Sequence, residues 1–292
     1  MDGLKYKKAA IIAPAGKLAS DHIETGCKVI NEFGIETVVM PNVLSDDGLP
    51  WHSATLHNRV TDLHTALNNP SVDLLWCIRG GVGSGALLPY INWDLMRKRN
   101  LPLVGYSDIT ALHLGMLAKE AGIPIVAPMA GKLPEAIKSE YTLSSLCALL
   151  CDQANKNIGK LNILKQGKAE AFPVLANLTV MCSICGTVFM PDLNGKVLII
   201  EDINEPAYRL DRCLVQLQQC GLLDNLAGLV FGMFNHCGKQ KDLDPLQEYW
   251  ANELSCPVWS KFPFGHEFPI ASVRMDKKVR IDSYGTASVQ PD

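Results

Sequence analysis

Leu101-Pro102-Leu103-Val104-Gly105-Tyr106-Ser107-Asp108-Ile109-Thr110-Ala111-Leu112-His113 decides the reading of this chain. Its first five residues have the continuous apolar character of a strand covered on both faces, and from Ile109 onward the spacing becomes helical. Ser107 therefore stands at a sharp strand-to-helix turn, which resembles a nucleophile elbow and directs a hydroxyl out of the fold beside the positive end of a helix. The second glycine of that motif is absent, since Ile109 stands two residues after Ser107. A helix-capping serine, with Thr110 or Asp108 nearby, is the alternative reading of the same residue.

The pattern around the turn repeats. Ala9–Pro14, Thr37–Met40 and Leu74–Ile78 read as strands, with helical spacing over Asp21–Phe33, around Arg59–Leu67 and through Lys119. Such β-α alternation predicts an α/β fold with an N-terminal, mostly parallel, flavodoxin-like sheet covered by helices on both faces. Functional residues then belong at the carboxyl ends of strands. After a helix-rich stretch at 134–153 the segments shorten: Lys160–Ala176 is extended, Val197–Ile200 a buried strand, Tyr208–Cys220 a helix stopped by Gly221, and Gly228–Phe234 a strand. A junction is expected near 153–168, where Asn155, Lys156, Asn157, Gly159, Lys160 and Gly167 collect. Residues 1–160 and 161–292 are accordingly read as two domains, the second a smaller α/β unit with mixed strands, and the cleft between them as the place for a small substrate.

Composition bounds the function. The 292 residues are 48% hydrophobic and 20% charged with a net charge of -3, which suits a globular chain and gives no broad attraction to nucleic acid or an anionic membrane. Met1-Asp2-Gly3-Leu4-Lys5 lacks the pattern of a cleaved leader and no apolar run reaches membrane-spanning length, so a cytoplasmic protein is expected. The ten cysteines have no framework spacing and read as reduced thiols. Cys182-Ser183-Ile184-Cys185 is a C-x-x-C without a second pair or a nearby histidine pair to complete a tetrahedral set, so neither metal nor cofactor is assigned.

Strand Leu74–Ile78 runs into Arg79-Gly80-Gly81-Val82-Gly83-Ser84-Gly85, a turn whose bare backbone amides can face an anion. Ala86 and Leu87 occupy the positions where a phosphate-binding loop needs Lys and Ser or Thr, and dinucleotide spacing fails as well. An oxyanion is the better occupant, with an amide from this loop and another from Asp108. A serine nucleophile needs a base held by a carboxylate. Of seven histidines, His52, His57 and His64 fall in or near a polar connection and helix, and His113 lies nearly two turns beyond Ser107. His266, in the punctuated turn Phe262-Pro263-Phe264-Gly265-His266-Glu267, is the candidate base, with His236 behind it. Glu201, closing the apolar run Val197–Ile200, is the candidate orienting acid, with Asp202 and Glu205 as alternatives.

Taken together, these segments resemble the LD-carboxypeptidase family of serine peptidases, which includes muramoyltetrapeptide carboxypeptidases and microcin C self-immunity hydrolases. The resemblance spans nearly the whole chain. It rests on Ala13-Pro14-Ala15, the Arg79–Ser84 turn, Gly105–His113, Glu201-Asp202 through Tyr208-Arg209-Leu210-Asp211-Arg212, and Phe264-Gly265-His266. It implies Ser107 as nucleophile, His266 as general base, Glu201 as orienting acid, and oxyanion donors from Gly81 and Asp108. It departs at Val82, where an aromatic is usual, and at Leu175-Ala176-Asn177-Leu178, which stands for a Gly-Gly-Asn-Leu stretch. The implied reaction is metal-free removal of a terminal D-alanine from cell-wall tetrapeptides in murein recycling, by a cytoplasmic homodimer. Arg79, beside Gly80, is the first candidate for the substrate carboxylate, with Arg209 and Arg212 behind it. A peptidyl- or aminoacyl-nucleotide hydrolase and a peptide- or sugar-binding protein without turnover are the alternatives.

Overall fold

The computed structural model describes residues 3–153 and 158–290. Met1, Asp2 and the Asn155–Asn157 part of the expected junction lie outside the described residues. The first sheet has six strands: β1 (Lys8–Ile12), β2 (Glu36–Val39), β3 (Leu74–Cys77), β4 (Pro102–Gly105), β5 (Ile123–Val126) and β13 (Val273–Arg274). Their order, 13-5-4-3-1-2, contains the doubly wound 2-1-3-4-5 arrangement expected of a flavodoxin-like sheet, all parallel except for β13 at the edge. The order reverses between β1 and β3, which opens a crevice at their carboxyl ends. β13 comes from far along the chain and pairs antiparallel with β5, so the first sheet draws on residues beyond 160.

The helices of this half are α1 (Ser20–Phe33), α2 (Leu56–Asn68), α3 (Trp93–Arg99), α4 (Thr110–Ala118), α5 (Leu133–Ala136) and α6 (Glu140–Leu150). Each forms for a local reason. In α1, Ile23, Cys27, Ile30 and Phe33 recur at helical spacing and are buried, and Gly34 stops the helix at φ 99° with its N–H donating to Asn31. Thr55 caps α2 by accepting from the Asn58 N–H at 3.3 Å, and Asn92 caps α3 from Leu95 at 2.9 Å.

The second half carries two more sheets. β7 (Asn162–Lys165), β12 (Val258–Ser260), β11 (Gly228–Asn235), β10 (Val197–Ile203) and β9 (Pro173–Asn177) form one in that order, parallel except for β7. β6 (Gly159–Lys160), β15 (Thr286–Val289), β14 (Val279–Ile281) and β8 (Ala169–Ala171) form a small antiparallel sheet. Helices α7 (Leu178–Ser183), α8 (Ala207–Gln219) and α9 (Gln240–Glu253) accompany them. Both large sheets aim the carboxyl ends of parallel strands at a common cleft. Among the described residues, no helix is long and apolar enough to cross a membrane.

α4 is buried almost all round, and His113 within it is fully covered. Its Nε2 lies 3.0 Å from the Leu103 carbonyl, which makes that nitrogen the N–H donor. Nδ1 has no partner, and burial drives the imidazole from 6.5 down to about 4. Between those values the unfolded chain holds a proton that the native chain refuses, so stability falls as pH falls through that window. The loss from this one group is about 2 kcal/mol between pH 6.5 and pH 5. His113→Gln, which keeps a donor but cannot titrate, should lose less stability than the wild type between pH 7 and pH 5. Urea unfolding at the two pH values measures this, and equal losses would remove His113 as the cause.

Candidate active site

The strand-helix turn has the strained geometry that the sequence suggests. Tyr106 is extended, Ser107 sits at φ 63°, and one 3-10 turn (Ser107–Ile109) leads into α4. A left-handed serine is uncommon and is held only where its surroundings enforce it. Its hydroxyl does not cap the helix. Ser107 Oγ instead lies 2.9 Å from His266 Nε2.

His266 arrives from the opposite half of the molecule on a loop laid against β11. Gly232 and Gly265 permit that contact: a Cβ on Gly232 would fall 2.5 Å from the Phe264 carbonyl oxygen, and one on Gly265 would fall 2.7 Å from Met233 Cβ. The Met233 N–H donates to the Phe264 carbonyl at 2.8 Å, and the His266 N–H donates to Asn235 Oδ1 at 2.8 Å. The imidazole packs edge-on to Tyr106, with ring centroids 5.5 Å apart.

The other ring nitrogen, Nδ1, is 2.8 Å from Glu201 Oε2. A carboxylate accepts only, so Nδ1 carries the hydrogen and Nε2 is free to accept from the Ser107 hydroxyl. Glu201 is fully buried at the end of β10, where a register shift between Ile200 and Asp202 interrupts the pairing with β11. Burial pushes its carboxyl above the usual range, opposed by the contact with His266 and by the Asn177 amide. Asn177 Nδ2 donates to Glu201 Oε1 at 3.2 Å and to Asp202 Oδ1 at 3.0 Å. Its Oδ1 caps α7 from Val180, and its own N–H is held by Thr110 Oγ1 at 2.9 Å. Asp202, considered above as an alternative acid, is committed elsewhere: its Oδ2 accepts from the Thr179 N–H and hydroxyl at 2.9 and 2.7 Å.

The glycine-rich turn lies against Ser107. A Cβ on Gly80 would come within 2.8 Å of Ser107 Cβ and 3.3 Å of the Asp108 nitrogen, so the Gly80-Gly81 backbone passes directly beside the hydroxyl. Gly81 has φ 107°, a conformation natural only to glycine. The Asp108 side chain accepts from the Ser84 N–H at 2.8 Å, while the Ser84 hydroxyl donates back to the Asp108 carbonyl. Buried Arg59 adds a further tie, its Nη1 donating to the Pro14 and Gly83 carbonyls, each at 2.9 Å. The arrangement holds two loops and the elbow as one rigid wall. It borders a cavity of about 820 Å³ lined by Arg79, Gly80, Gly81, Tyr106, Ser107, Ile203 and His266, together with Asp21, Lys132, Glu135 and Lys138.

The sequence and the fold have known counterparts. The family models for the N-terminal and C-terminal domains of LD-carboxypeptidases match residues 9–127 and 174–281. A Streptomyces coelicolor protein, provisionally named a carboxypeptidase, is 30% identical over 264 residues, covering 89% of this chain and 85% of its own length. The chain belongs to the LD-carboxypeptidase family. A murein tetrapeptide carboxypeptidase of Pseudomonas aeruginosa is 28% identical over 277 residues, covering 89% of this chain and 88% of that one. The crystal structure of a muramoyltetrapeptide carboxypeptidase from Oxalobacter formigenes superposes with a TM-score of 0.85 at 25% identity, covering 98% of this chain and all of that one.

Within this LD-carboxypeptidase fold, the remaining sequence candidates divide between the cavity wall and the surface. Arg79 is at the cavity wall, its Nη1 donating to the Lys17 carbonyl at 2.9 Å. Arg209 pairs with Glu205 at 3.3 Å on the exposed face of α8, and Arg212 stacks over Tyr208; neither lines the cavity. His236 is exposed and faces Glu267 at 3.4 Å. Sequence reasoning missed Asn177, Asn235 and Arg59. Asn177 lay in view in the Leu175–Leu178 stretch, whereas the other two act through contacts between residues distant in sequence. Gly80→Ala should cut the reactivity of Ser107 toward a fluorophosphonate probe at least tenfold, because the added methyl cannot avoid Ser107 Cβ. Probe labelling measures it, with circular dichroism showing the fold retained; undiminished labelling would mean that the loop yields freely.

Proposed function

We propose that this chain is a serine-type LD-carboxypeptidase that releases the terminal D-alanine of murein tetrapeptides, as a cytoplasmic homodimer serving murein recycling. The observation that carries the reading is the unbroken hydrogen-bond chain Ser107 Oγ, His266, Glu201, opening on a cavity that also holds Arg79. Ser107 Oγ attacks the carbonyl carbon of the scissile amide while His266 Nε2 takes its proton. The resulting oxyanion is met by the N–H groups of Gly81 and Asp108, rigid donors that need no reorganisation as charge develops. His266 then protonates the amine of the leaving D-alanine, and water hydrolyses the acyl-enzyme by the same steps in reverse roles. Glu201 keeps the imidazole in the required tautomer and stabilises the imidazolium.

An exopeptidase must also recognise a free carboxylate. Arg79 suits that role: its guanidinium is anchored at the wall by the Lys17 carbonyl, and a planar fork of donors matches a carboxylate. Gly80 beside it leaves the backbone open to the substrate chain.

Incubation with a D-alanine-terminated tetrapeptide should release D-alanine, and Ser107→Ala should lower the rate by about a thousandfold or more. An aminoacyl sulfamoyl adenylate serves as the rival substrate; turnover of that compound alone would replace the peptidase reading. Binding of the tetrapeptide with no turnover at any pH would favour a binding protein. The rate should rise with pH in the acid range, since a protonated His266 cannot accept from Ser107. The upward pressure of burial on Glu201 acts in the same direction, because a neutral carboxyl no longer holds Nδ1–H as a carboxylate does. A rate profile flat across the acid range would contradict the assigned base.

A further inference from the structure

A second cavity, of about 830 Å³, is lined by α9, by β7 and by the ends of β11 and β12, and it shares no lining residue with the catalytic one. Its volume is that of a small-molecule site, and the carboxyl ends of parallel strands are where open α/β sheets take ligands. Two buried polar side chains border it. Gln247, in α9, is 8% exposed, and Ser260, the last residue of β12, is 4% exposed. Among the described residues neither side chain has a hydrogen-bond partner. The partnerless polar atoms that are sealed from solvent are those of Tyr6, Arg59, His113, Trp259 and Ser272, so the Gln247 amide and the Ser260 hydroxyl keep their small exposed surface at the cavity. A buried amide and hydroxyl left unmatched carry a desolvation cost that an occupant of the cavity would remove.

The chemistry of the lining selects that occupant. An amide and a hydroxyl each both donate and accept, as the hydroxyl groups of a sugar do. Met233, Phe234 and Pro263 add apolar surface against which the C–H face of a sugar ring can lie. The exposed carboxylates of Asp244 and Glu248 disfavour an anion and accept from hydroxyls, while exposed Lys261 offsets their charge. Asp244 already accepts from Gln240 Nε2 at 2.6 Å, and among the described residues no group of His, Cys, Asp and Glu is arranged to hold a metal ion.

We propose that this cavity is a binding site for a neutral saccharide of one or two rings, with Gln247 and Ser260 as its buried hydrogen-bonding pair. The site is independent of the reaction at Ser107, yet it lies against the same loop: Asn235 lines it while its Oδ1 holds the His266 N–H.

Calorimetric titration of the intact protein with cellobiose and with N,N′-diacetylchitobiose tests this. At least one of the two should bind saturably with a dissociation constant below about 10 mM. Gln247→Leu and Ser260→Ala should each weaken that binding at least about fivefold, with circular dichroism showing the fold retained. Ser260→Ala, which removes a single oxygen, carries the comparison if Gln247→Leu does not fold. Arg79→Ala, in the wall of the catalytic cavity, should leave the affinity within about twofold of the wild type, because no residue is shared between the cavities. Failure of both sugars to saturate by about 10 mM would overturn the proposal. So would undiminished binding in the Gln247 and Ser260 variants, or binding lost in Arg79→Ala, which would put the sugar in the catalytic cleft.

Discussion

A carboxylate with no exposed surface at the end of an apolar strand must find a partner or give up its charge, and at Glu201 that partner is His266. The contact does more than neutralise a cost. Glu201 belongs to the second parallel sheet and Ser107 to the first, and the imidazole between them is where the two halves meet chemically. Removing one member of a buried pair typically costs about 3–5 kcal/mol, because the other is left without compensation. The surroundings bear out how tightly the site is specified. Asn177 serves the carboxylate, caps α7 and is itself held by Thr110 on the helix that follows Ser107. Asp202, one residue on, is held by Thr179 and by Asn177, while Glu201 is the acid that meets the imidazole.

On the other side of the cleft, rigidity comes from backbone packing. Ser107 in a left-handed conformation, Gly80 pressed against it and Gly81 at positive φ form one mutually dependent unit. Asp108 ties that unit to the turn at Ser84, and Arg59 ties it to the loop after β1. Burial raises the Asp108 carboxyl, and the Ser84 and Gly83 hydrogen bonds draw it back. A wall built in this way can present fixed N–H donors without first having to order them, which is where electrostatic catalysis gains its advantage over water.

Much of this was legible in the order of the residues. Parallel strands covered on both faces give continuous apolar runs such as Leu74–Cys77 and Val197–Ile200, and those runs marked the strands whose ends carry Gly80, Ser107 and Glu201. Helices with one buried stripe and a glycine stop, such as α1, were equally plain. What stayed hidden depends on contacts between distant segments. Asn235 acts only because the His266 loop is laid over β11, and Arg59 because two loops converge on it. α9 was not read because Pro245 and a largely polar stretch obscure its stripe.

The last pairing of the first sheet has a consequence for how the chain is made. β13 hydrogen-bonds to the outer edge of β5, yet about 150 residues separate Val126 from Val273. On a ribosome the five parallel strands emerge long before the sixth, so β5 waits as an open edge with unpaired N–H and C=O groups, the kind of surface on which chains aggregate. Synthesis must run past Arg274 before that edge is covered. Truncation before Val273 would leave the β5 edge open to the edge of another molecule.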